Sequence, residues 1–349
     1  MTRGIWMSQA TLEPYDALRR IAFLLERSRA GTYRVKAFRG AAATVLATDP
    51  TELRSRAAAG TLTDLPGIGS ATESVIRETL EGELPAYLKS LEDKAAEPLV
   101  VGGLEVRAAL RGDLHSHSDW SDGGSSIQEM VVTAMELGHD YLVLTDHSPR
   151  LKIANGLSSE RLSKQLGVVD SINSAVGEFR LLKGIEVDIL DDGALDQSSE
   201  MLSQLDLRVA SVHSKLAMSA APMTRRMIAA VENPHTNVLG HCTGRLVEGS
   251  RGTRDQSVFD AAAVFWACAA HGVAVEINAR PERCDPPDEL VAMALDAGCL
   301  FSIDSDAHAP GQLDFQMYGC ARAERLDVPL ERIVNTWEME RLLAWANPG

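Results

Sequence analysis

Residues 299–308 read CLFSIDSDAH, an apolar run that breaks into acidic and imidazole side chains. Six earlier segments share its form: LRGDLH (110–115), YLVLTDH (141–147), RLLKGIEV (180–187), LRVASVH (207–213), NVLGH (237–241) and VAVEIN (273–278). Short apolar runs of this length read as buried β-strands. They recur roughly every 30 residues, the length of a βα unit. The stretches between them, such as SIQEMVVTAMELG and DELVAMALDAG, carry helical spacing. Strands alternating with helices, each strand ending in polar residues, predict an α/β fold built as a parallel barrel. In such barrels the functional side chains gather at the C-terminal rim.

The polar residues at those ends are unusual as a set. Six of the nine histidines fall there, with three acidic residues. In chain order they are His115, His117, Asp122, His147, Glu186, His213, His241, Asp306 and His308. Imidazole and carboxylate are the ligands that hold Zn²⁺, Mn²⁺ or Fe²⁺. One HxH pair would be weak evidence, and a lone histidine is more often structural than a ligand. Nine candidates at strand ends point instead to a multinuclear metal site. His139, His235 and His271 lie away from strand ends and read as structural. Lys215, Arg245 and Arg283 closely follow strand ends and are candidates to clamp a phosphate, with salt bridges inside an acidic domain as the alternative. Glu276 and Asn278, in EINARPERCD (276–285), are candidates to orient metal ligands.

The net charge of −15 is unevenly placed. Residues 1–98 hold 13 basic and 13 acidic side chains, whereas the remainder holds 21 and 36. An acidic barrel argues against broad, tight nucleic-acid binding by that part. It does not exclude a phosphate substrate, because bound divalent cations cancel charge locally. The five cysteines are scattered without a CxxC pair, which suits free thiols in a reducing cytoplasm. Cys242 follows His241 directly and reads as a strand-end bystander. The longest apolar run, AVFWACAAHGVAVEI, is interrupted by His271 and Gly272, so no membrane span is expected. The opening MTRGIWMSQATLEP is too short and polar for a signal peptide, and Met7 is an alternative start.

The first part of the chain reads as helical. Leu18, Ile21, Ala22, Leu24 and Leu25 recur at helical spacing, and further helices are expected from Tyr33 to Leu46 and from Thr51 to Ala59. GTLTDLPGIGSATESVIRETLEG (60–82) has the form of a helix–hairpin–helix. Gly67, Ile68 and Gly69 make its tight turn. Free backbone N–H groups at the start of the following helix bind a phosphate without reading sequence. RSRAGTYRVKAFR (27–39) adds five cations and no acid, with Tyr33 and Phe38 interleaved. Arg34, Lys36 and Arg39 are therefore candidate DNA-backbone contacts beside Gly67, Ile68 and Gly69, although such a run is also compatible with a solvated face. EPLVVGG (97–103) reads as a linker.

Residues 105–349 resemble the PHP (polymerase and histidinol phosphatase) family, through the order HxH, D, H, E, H, H, DxH. The supporting strings are TDHS, KIANGLS, GIEVDIL, SVHS, EINARPERCD and SDAH. Within the family they resemble the C-terminal PHP domain of bacterial family X DNA polymerases. The preceding residues, over 11–95, resemble the lyase-type helix–hairpin–helix domain at the other end of those polymerases. The resemblance implies a distorted (β/α)7 barrel over 105–349, preceded by a small all-α DNA-binding domain over 1–98. It also implies two or three divalent ions, Mn²⁺ or Zn²⁺ with iron an alternative. One would be held by His115, His117, Glu186 and Asp306. A second would be held by Glu186, His213 and His241, and a third by Asp122, His147 and His308. The implied nucleophile is a metal-activated water, with no covalent intermediate.

The departures from the polymerases are equally specific. Only the short linker stands where fingers and palm would lie, and no Gly-Ser with a DxD pair is present, so no polymerase activity is expected. The lyase lysine falls opposite Val75 and its neighbour opposite Ala71. A β-elimination lyase needs a nucleophilic amine, so that activity is not expected either. The resulting expectation is a cytoplasmic metal-dependent phosphoesterase acting on DNA ends, a 3′→5′ exonuclease or 3′-end processing enzyme in repair. The alternatives are a small-molecule phosphomonoesterase of the histidinol-phosphatase type and a non-catalytic DNA-binding module.

Overall fold

A computed structural model describes residues 12–249 and 252–347. The opening stretch read above against a signal peptide, Met7 included, falls almost entirely outside the described residues. The chain divides into two compact units between Leu99 and Val100. No helix among the described residues is long and apolar enough to cross a membrane.

The first unit is all helical. Helix α1 (Pro14–Arg27) carries a proline in its first turn, where an N–H has no helical acceptor anyway. Leu18, Ile21, Ala22 and Leu25 form its buried stripe. Helices α2 (Thr32–Ala47) and α3 (Pro50–Ala59) begin one residue earlier than their sequence patterns suggest. The carboxylate of Asp49 caps α3, accepting from the amides of Thr51 and Glu52 at 2.8 and 3.2 Å. A tight turn then leads into α4 (Ser70–Leu80), and α5 (Ala86–Ala95) follows. Gly67 turns the chain at φ +78°, a conformation that side-chain-bearing residues resist. The Thr44 hydroxyl donates to the Pro66 carbonyl at 2.7 Å and ties this turn to α2. Leu25, Phe38, Ile68, Val75, Ile76 and Leu88 belong to one buried core.

The second unit is a parallel barrel of seven strands in sequential order. They are β1 (Gly112–Ser116), β2 (Tyr141–Leu144), β3 (Arg180–Asp188), β4 (Leu207–Ser211), β5 (Val238–Leu239), β6 (Ala274–Asn278) and β7 (Leu300–Asp304). Ser116 bridges to Ala307 just past β7, and the His117 amide donates to the Ala307 carbonyl at 2.8 Å, so the sheet nearly closes on itself. Helices such as Ile127–Glu136, Ser159–Asn173 and Ala261–His271 connect the strands. Outward-facing Ile185, Val187, Val275, Ile277, Phe301 and Ile303 pack in the large apolar core beside helical residues such as Val264, Phe265 and Val291.

Inside the barrel the side chains are layered. Leu114, Val143, Leu182, Val209 and Ala274 fill the lower interior, together with Val334, Trp337 and Leu342 from the C-terminal segment. Two residues further along each strand the polar layer begins, because side chains alternate faces with a period of two. Thus Ala274 is followed inward by Glu276 and Asn278, and Gly184 by Glu186 and Asp188. A methyl at Gly184 would stand 2.8 Å from the Leu144 carbonyl, so only glycine lets β2 and β3 approach here. The β1–β2 ladder shifts register between Asp113 and Ser116. That irregularity lets Leu114 join the apolar layer while its neighbour His115 also faces the interior.

Candidate metal centre

All nine strand-end candidates meet at the C-terminal rim. Buried Glu186, on β3, is the hub. Its Oε1 lies 2.8 Å from His241 Nε2 and 3.1 Å from His213 Nε2. Its Oε2 lies 2.8 Å from His147 Nδ1, 3.3 Å from His115 Nε2 and 3.5 Å from His117 Nε2. Asp306 Oδ1 is 3.4 Å from His117 Nε2 and 4.0 Å from His115 Nε2. Asp122 Oδ1 faces the Nε2 atoms of both His147 and His308 at 3.4 Å. Four overlapping groups have their ligand atoms within 4.8 Å of one another. His115, His117, His147 and Glu186 each enter two of them. The three-way division implied by the resemblance is thus less sharp in the structure, with His241 grouping beside His115 and His213 beside His147.

The chemistry of this set fits divalent cations. His115 Nε2, His117 Nε2, His147 Nδ1, Glu186 Oε2 and His213 Nε2 are buried without a hydrogen bond. Buried polar atoms normally have partners, and a metal ion supplies one to several of them together. The electrostatics agree. Burial opposes ionisation of Glu186, yet His213, His115 and His147 hold its carboxyl well below the usual range. Burial likewise opposes ionisation of Asp306, but the adjacent His117 imidazole and the charges of His115 and Arg283 keep it low. Burial would lower His115, but Glu276 and Glu186 raise it well above its ordinary value. His213, partly buried, is raised to about 9 by Glu186 and Asp188. Carboxylates that call this strongly for positive charge are a ready cation site. Cys242 is in none of the groups and packs instead in the apolar core. His139, His235 and His271 also stand outside them.

A second layer of carboxylates holds the imidazoles in place. Glu276 Oε1 lies 2.6 Å from His115 Nδ1, and its Oε2 accepts from the His241 amide at 2.5 Å. Asn278 donates to Glu276 and Asp306 at 3.2 and 3.3 Å. A carboxylate on Nδ1 fixes the tautomer that leaves Nε2 free to bind. Replacing Glu276 by glutamine is expected to weaken metal affinity about 10–100-fold, measured by competition with a chelator. Sequence reasoning missed Asp188 and Arg280. Asp188 Oδ1 lies 3.4 Å from His213 Nδ1, and its place two residues after Glu186 on the same strand face was the available signal. Arg280 Nη1 approaches His308 Nδ1 at 2.9 Å and donates to the Asp306 carbonyl at 3.2 Å.

The three phosphate-clamp candidates differ in placement. Arg283 Nε donates to Asp306 Oδ2 at 3.1 Å, against the rim of the centre. Arg245 donates from Nε to the carbonyls of Arg283 and Cys284 at 3.2 and 3.1 Å, with Nη2 also on Cys284. Its guanidinium therefore braces the 280–285 loop rather than standing open. Lys215 is exposed and pairs with Asp191 at 2.5 Å.

The candidate DNA contacts in the first unit also separate. Arg34 and Lys36 are exposed, and Tyr33 beside them is 91% exposed. Arg39 instead makes a two-pronged pair with buried Glu26, at 2.9 and 2.8 Å. Glu26, thirteen residues earlier in the chain, thus takes up the cation. Replacing Arg39 by alanine should cost roughly 2–3 kcal/mol of stability, read by chemical unfolding, because it strips a charged partner from a buried carboxylate. In the hairpin, the Ile68 side chain is in the core and its amide donates to the Leu65 carbonyl at 3.2 Å. The Gly69 amide donates to the Thr72 hydroxyl at 2.9 Å. The amides of Ser70, Ala71 and Thr72 open α4 and, as first-turn amides, have no acceptor within the helix. Val75 is buried, and no lysine occurs in α4.

Comparison with known proteins places these features. A PHP domain model matches residues 113–280, which include seven of the nine clustered side chains. A helix-hairpin-helix domain model matches residues 11–83. The DNA polymerase/3'-5' exonuclease PolX of Bacillus subtilis is 35% identical over 236 residues, 68% of this chain and 41% of that protein. This chain therefore spans about two-fifths of that relative. The probable phosphatase YcdX of Escherichia coli is 28% identical over 237 residues, 64% of this chain and 89% of that protein. The solved histidinol phosphate phosphatase of Lactococcus lactis, complexed with zinc, L-histidinol and phosphate, aligns at TM-score 0.45 and 16% identity, covering 62% of this chain and 92% of that one. The chain carries a PHP domain, preceded by a helix-hairpin-helix domain.

Proposed function

We propose that this protein is a metal-dependent phosphoesterase that hydrolyses DNA phosphodiesters at strand ends, as a 3′→5′ exonuclease or 3′-end processing enzyme in DNA repair. The observation that carries the reading is the joining, in one chain, of a helix–hairpin–helix unit with exposed Arg34 and Lys36 to a rim where five imidazoles surround one buried carboxylate. His115, His117, Asp122, His147, Glu186, His213, His241, Asp306 and His308 would hold two or three divalent ions, Mn²⁺ or Zn²⁺, with iron an alternative. Ions held there supply electrophilic charge at the phosphoryl oxygens and acidify water. Glu186 spans two groups through its two oxygens. Glu276 and Asp188 hold His115 and His213 in orientation. Arg283, anchored on Asp306, is the cation best placed to meet a phosphate oxygen.

The resemblance of the barrel to a probable phosphatase, over nearly the whole of that relative, favours a second reading: a small-molecule phosphomonoesterase. A histidinol phosphatase has no need of a DNA-backbone module, so the first unit separates the two. The test is one metal-supplemented assay offering a 5′-labelled oligonucleotide and histidinol phosphate. Shortening of the oligonucleotide supports the first reading, and phosphate release from histidinol phosphate alone overturns it. Primer extension is expected to be absent because only a short linker stands where fingers and palm would lie, and borohydride-trapped adducts with abasic DNA because α4 has no lysine to form the imine. A trapped adduct would show another amine acting there.

A further inference from the structure

The loop after His147 is built to a fixed shape yet contributes nothing to the centre itself. The Leu157 amide returns to the His147 carbonyl at 2.7 Å, and the Gly156 amide donates to the Leu151 carbonyl at 3.2 Å. Asp196 Oδ2 accepts from the Ser148 hydroxyl and the Arg150 amide at 2.9 and 2.6 Å. Asn155, in the left-handed region at φ +55°, donates to the Trp120 carbonyl at 3.1 Å and joins this loop to the one carrying Asp122. Gly156 is packed so closely that a methyl there would lie 1.8 Å from the Ser148 carbonyl oxygen. Ala154 is buried. Between these anchors Ile153 stands 95% exposed, and its neighbour Lys152 is exposed with no ionic partner among the described residues. Arg150 is half exposed, 3.8 Å from Asp188.

We infer that Ile153 and Lys152 form a strand-end subsite. Ile153 packs against a nucleobase near the reacting end of a single DNA strand, and Lys152 takes a neighbouring phosphate. This inference rests on the DNA-hydrolase reading and deepens it. Branched aliphatic side chains serve other DNA-binding proteins as wedges against base faces. Single-strand sites commonly pair such faces with cations along the backbone. Six residues separate Ile153 from His147, at most about 20 Å of chain. In duplex DNA a strand advances about 3.4 Å per nucleotide and an unstacked single strand reaches further, so a base within a few nucleotides of the reacting phosphate is in range. A protein partner is the weaker occupant, because one exposed isoleucine beside a lysine falls far short of the roughly 800 Å² per partner of a stable interface.

The test compares the full-length protein with Ile153→Ala, Ile153→Asp and Lys152→Ala on a single-stranded oligonucleotide and on bis(p-nitrophenyl) phosphate, which has no nucleobase. The ratio of kcat/KM values, oligonucleotide over diester, should fall about tenfold in Ile153→Ala and further in Ile153→Asp. A 2-aminopurine placed near the 3′ end should change its fluorescence on binding the parent protein and respond less with Ile153→Ala. Lys152→Ala should reduce the salt dependence of oligonucleotide turnover by about one phosphate contact. A ratio within twofold of the parent in both Ile153 variants overturns the subsite while leaving the DNA reading intact. A parent that cleaves the diester but no oligonucleotide overturns the DNA reading and the subsite with it. A change of oligomeric state in Ile153→Asp, seen by light scattering, would assign the loop to a contact between copies and also overturn the subsite.

Discussion

Replacing Glu186 by glutamine should lower phosphoester hydrolysis by roughly 10³-fold, the scale seen when a principal electrostatic element of an active site is removed. Glutamine keeps the shape and one carbonyl oxygen but loses the charge and turns the other position into a donor. That donor would face either the His213–His241 side or the His147–His115–His117 side. One of the two sides is therefore left with an N–H where an acceptor is needed, and metal content should fall by at least one equivalent in elemental analysis. Glu186→Asp retains the charge but is shorter by one methylene. It should reach one side only and give an intermediate loss. A glutamine variant with parental metal content and parental turnover would remove Glu186 from the hub of the centre. Far-UV circular dichroism separates this outcome from simple misfolding.

Much of this architecture was legible because its physical signals are local. Each strand is a short apolar run that ends in a titratable residue, and the period of two places Glu186 and Glu276 on the interior face. The helices of the first unit were similarly readable, since Leu18, Ile21, Ala22 and Leu25 repeat on one face. What escaped depends on contacts between distant parts of the chain. Arg39 looked available to DNA because no acid lies between residues 27 and 39, but Glu26 sits just outside that window and captures it. Arg245 looked like a clamp from its place after β5, but its guanidinium reaches carbonyls 38 and 39 residues away. Ile68 and Gly69 were read as turn residues and candidate DNA contacts, and their own amides go to the Leu65 carbonyl and the Thr72 hydroxyl. Asp188 went unremarked because two acids on one strand look like ordinary polar punctuation until His213 is seen beside one of them.

Removing the first unit, to leave a chain beginning at Val100, should raise KM for an oligonucleotide by about tenfold or more while changing kcat by less than twofold. The two units are separately compact, so the barrel keeps its own core when the first is deleted. Backbone contacts made by a tethered module hold the ground state and the transition state equally, and such binding appears in KM alone. The contact set is smaller than the sequence suggests. With Arg39 committed to Glu26, the stretch from residue 27 to 39 retains Arg34 and Lys36 as its exposed candidates, beside the amides of Ser70 to Thr72. Two cations release about two counterions, so their share of the log–log salt slope should be no steeper than roughly −2. Arg34→Ala with Lys36→Ala should reproduce most of the deletion's effect on KM and remove that share of the slope. Turnover of bis(p-nitrophenyl) phosphate should stay near the parental value in both, because that substrate extends to no DNA backbone. If the isolated barrel instead degrades oligonucleotides with the parental KM at physiological salt, the helical unit serves another purpose and the phosphomonoesterase reading gains weight.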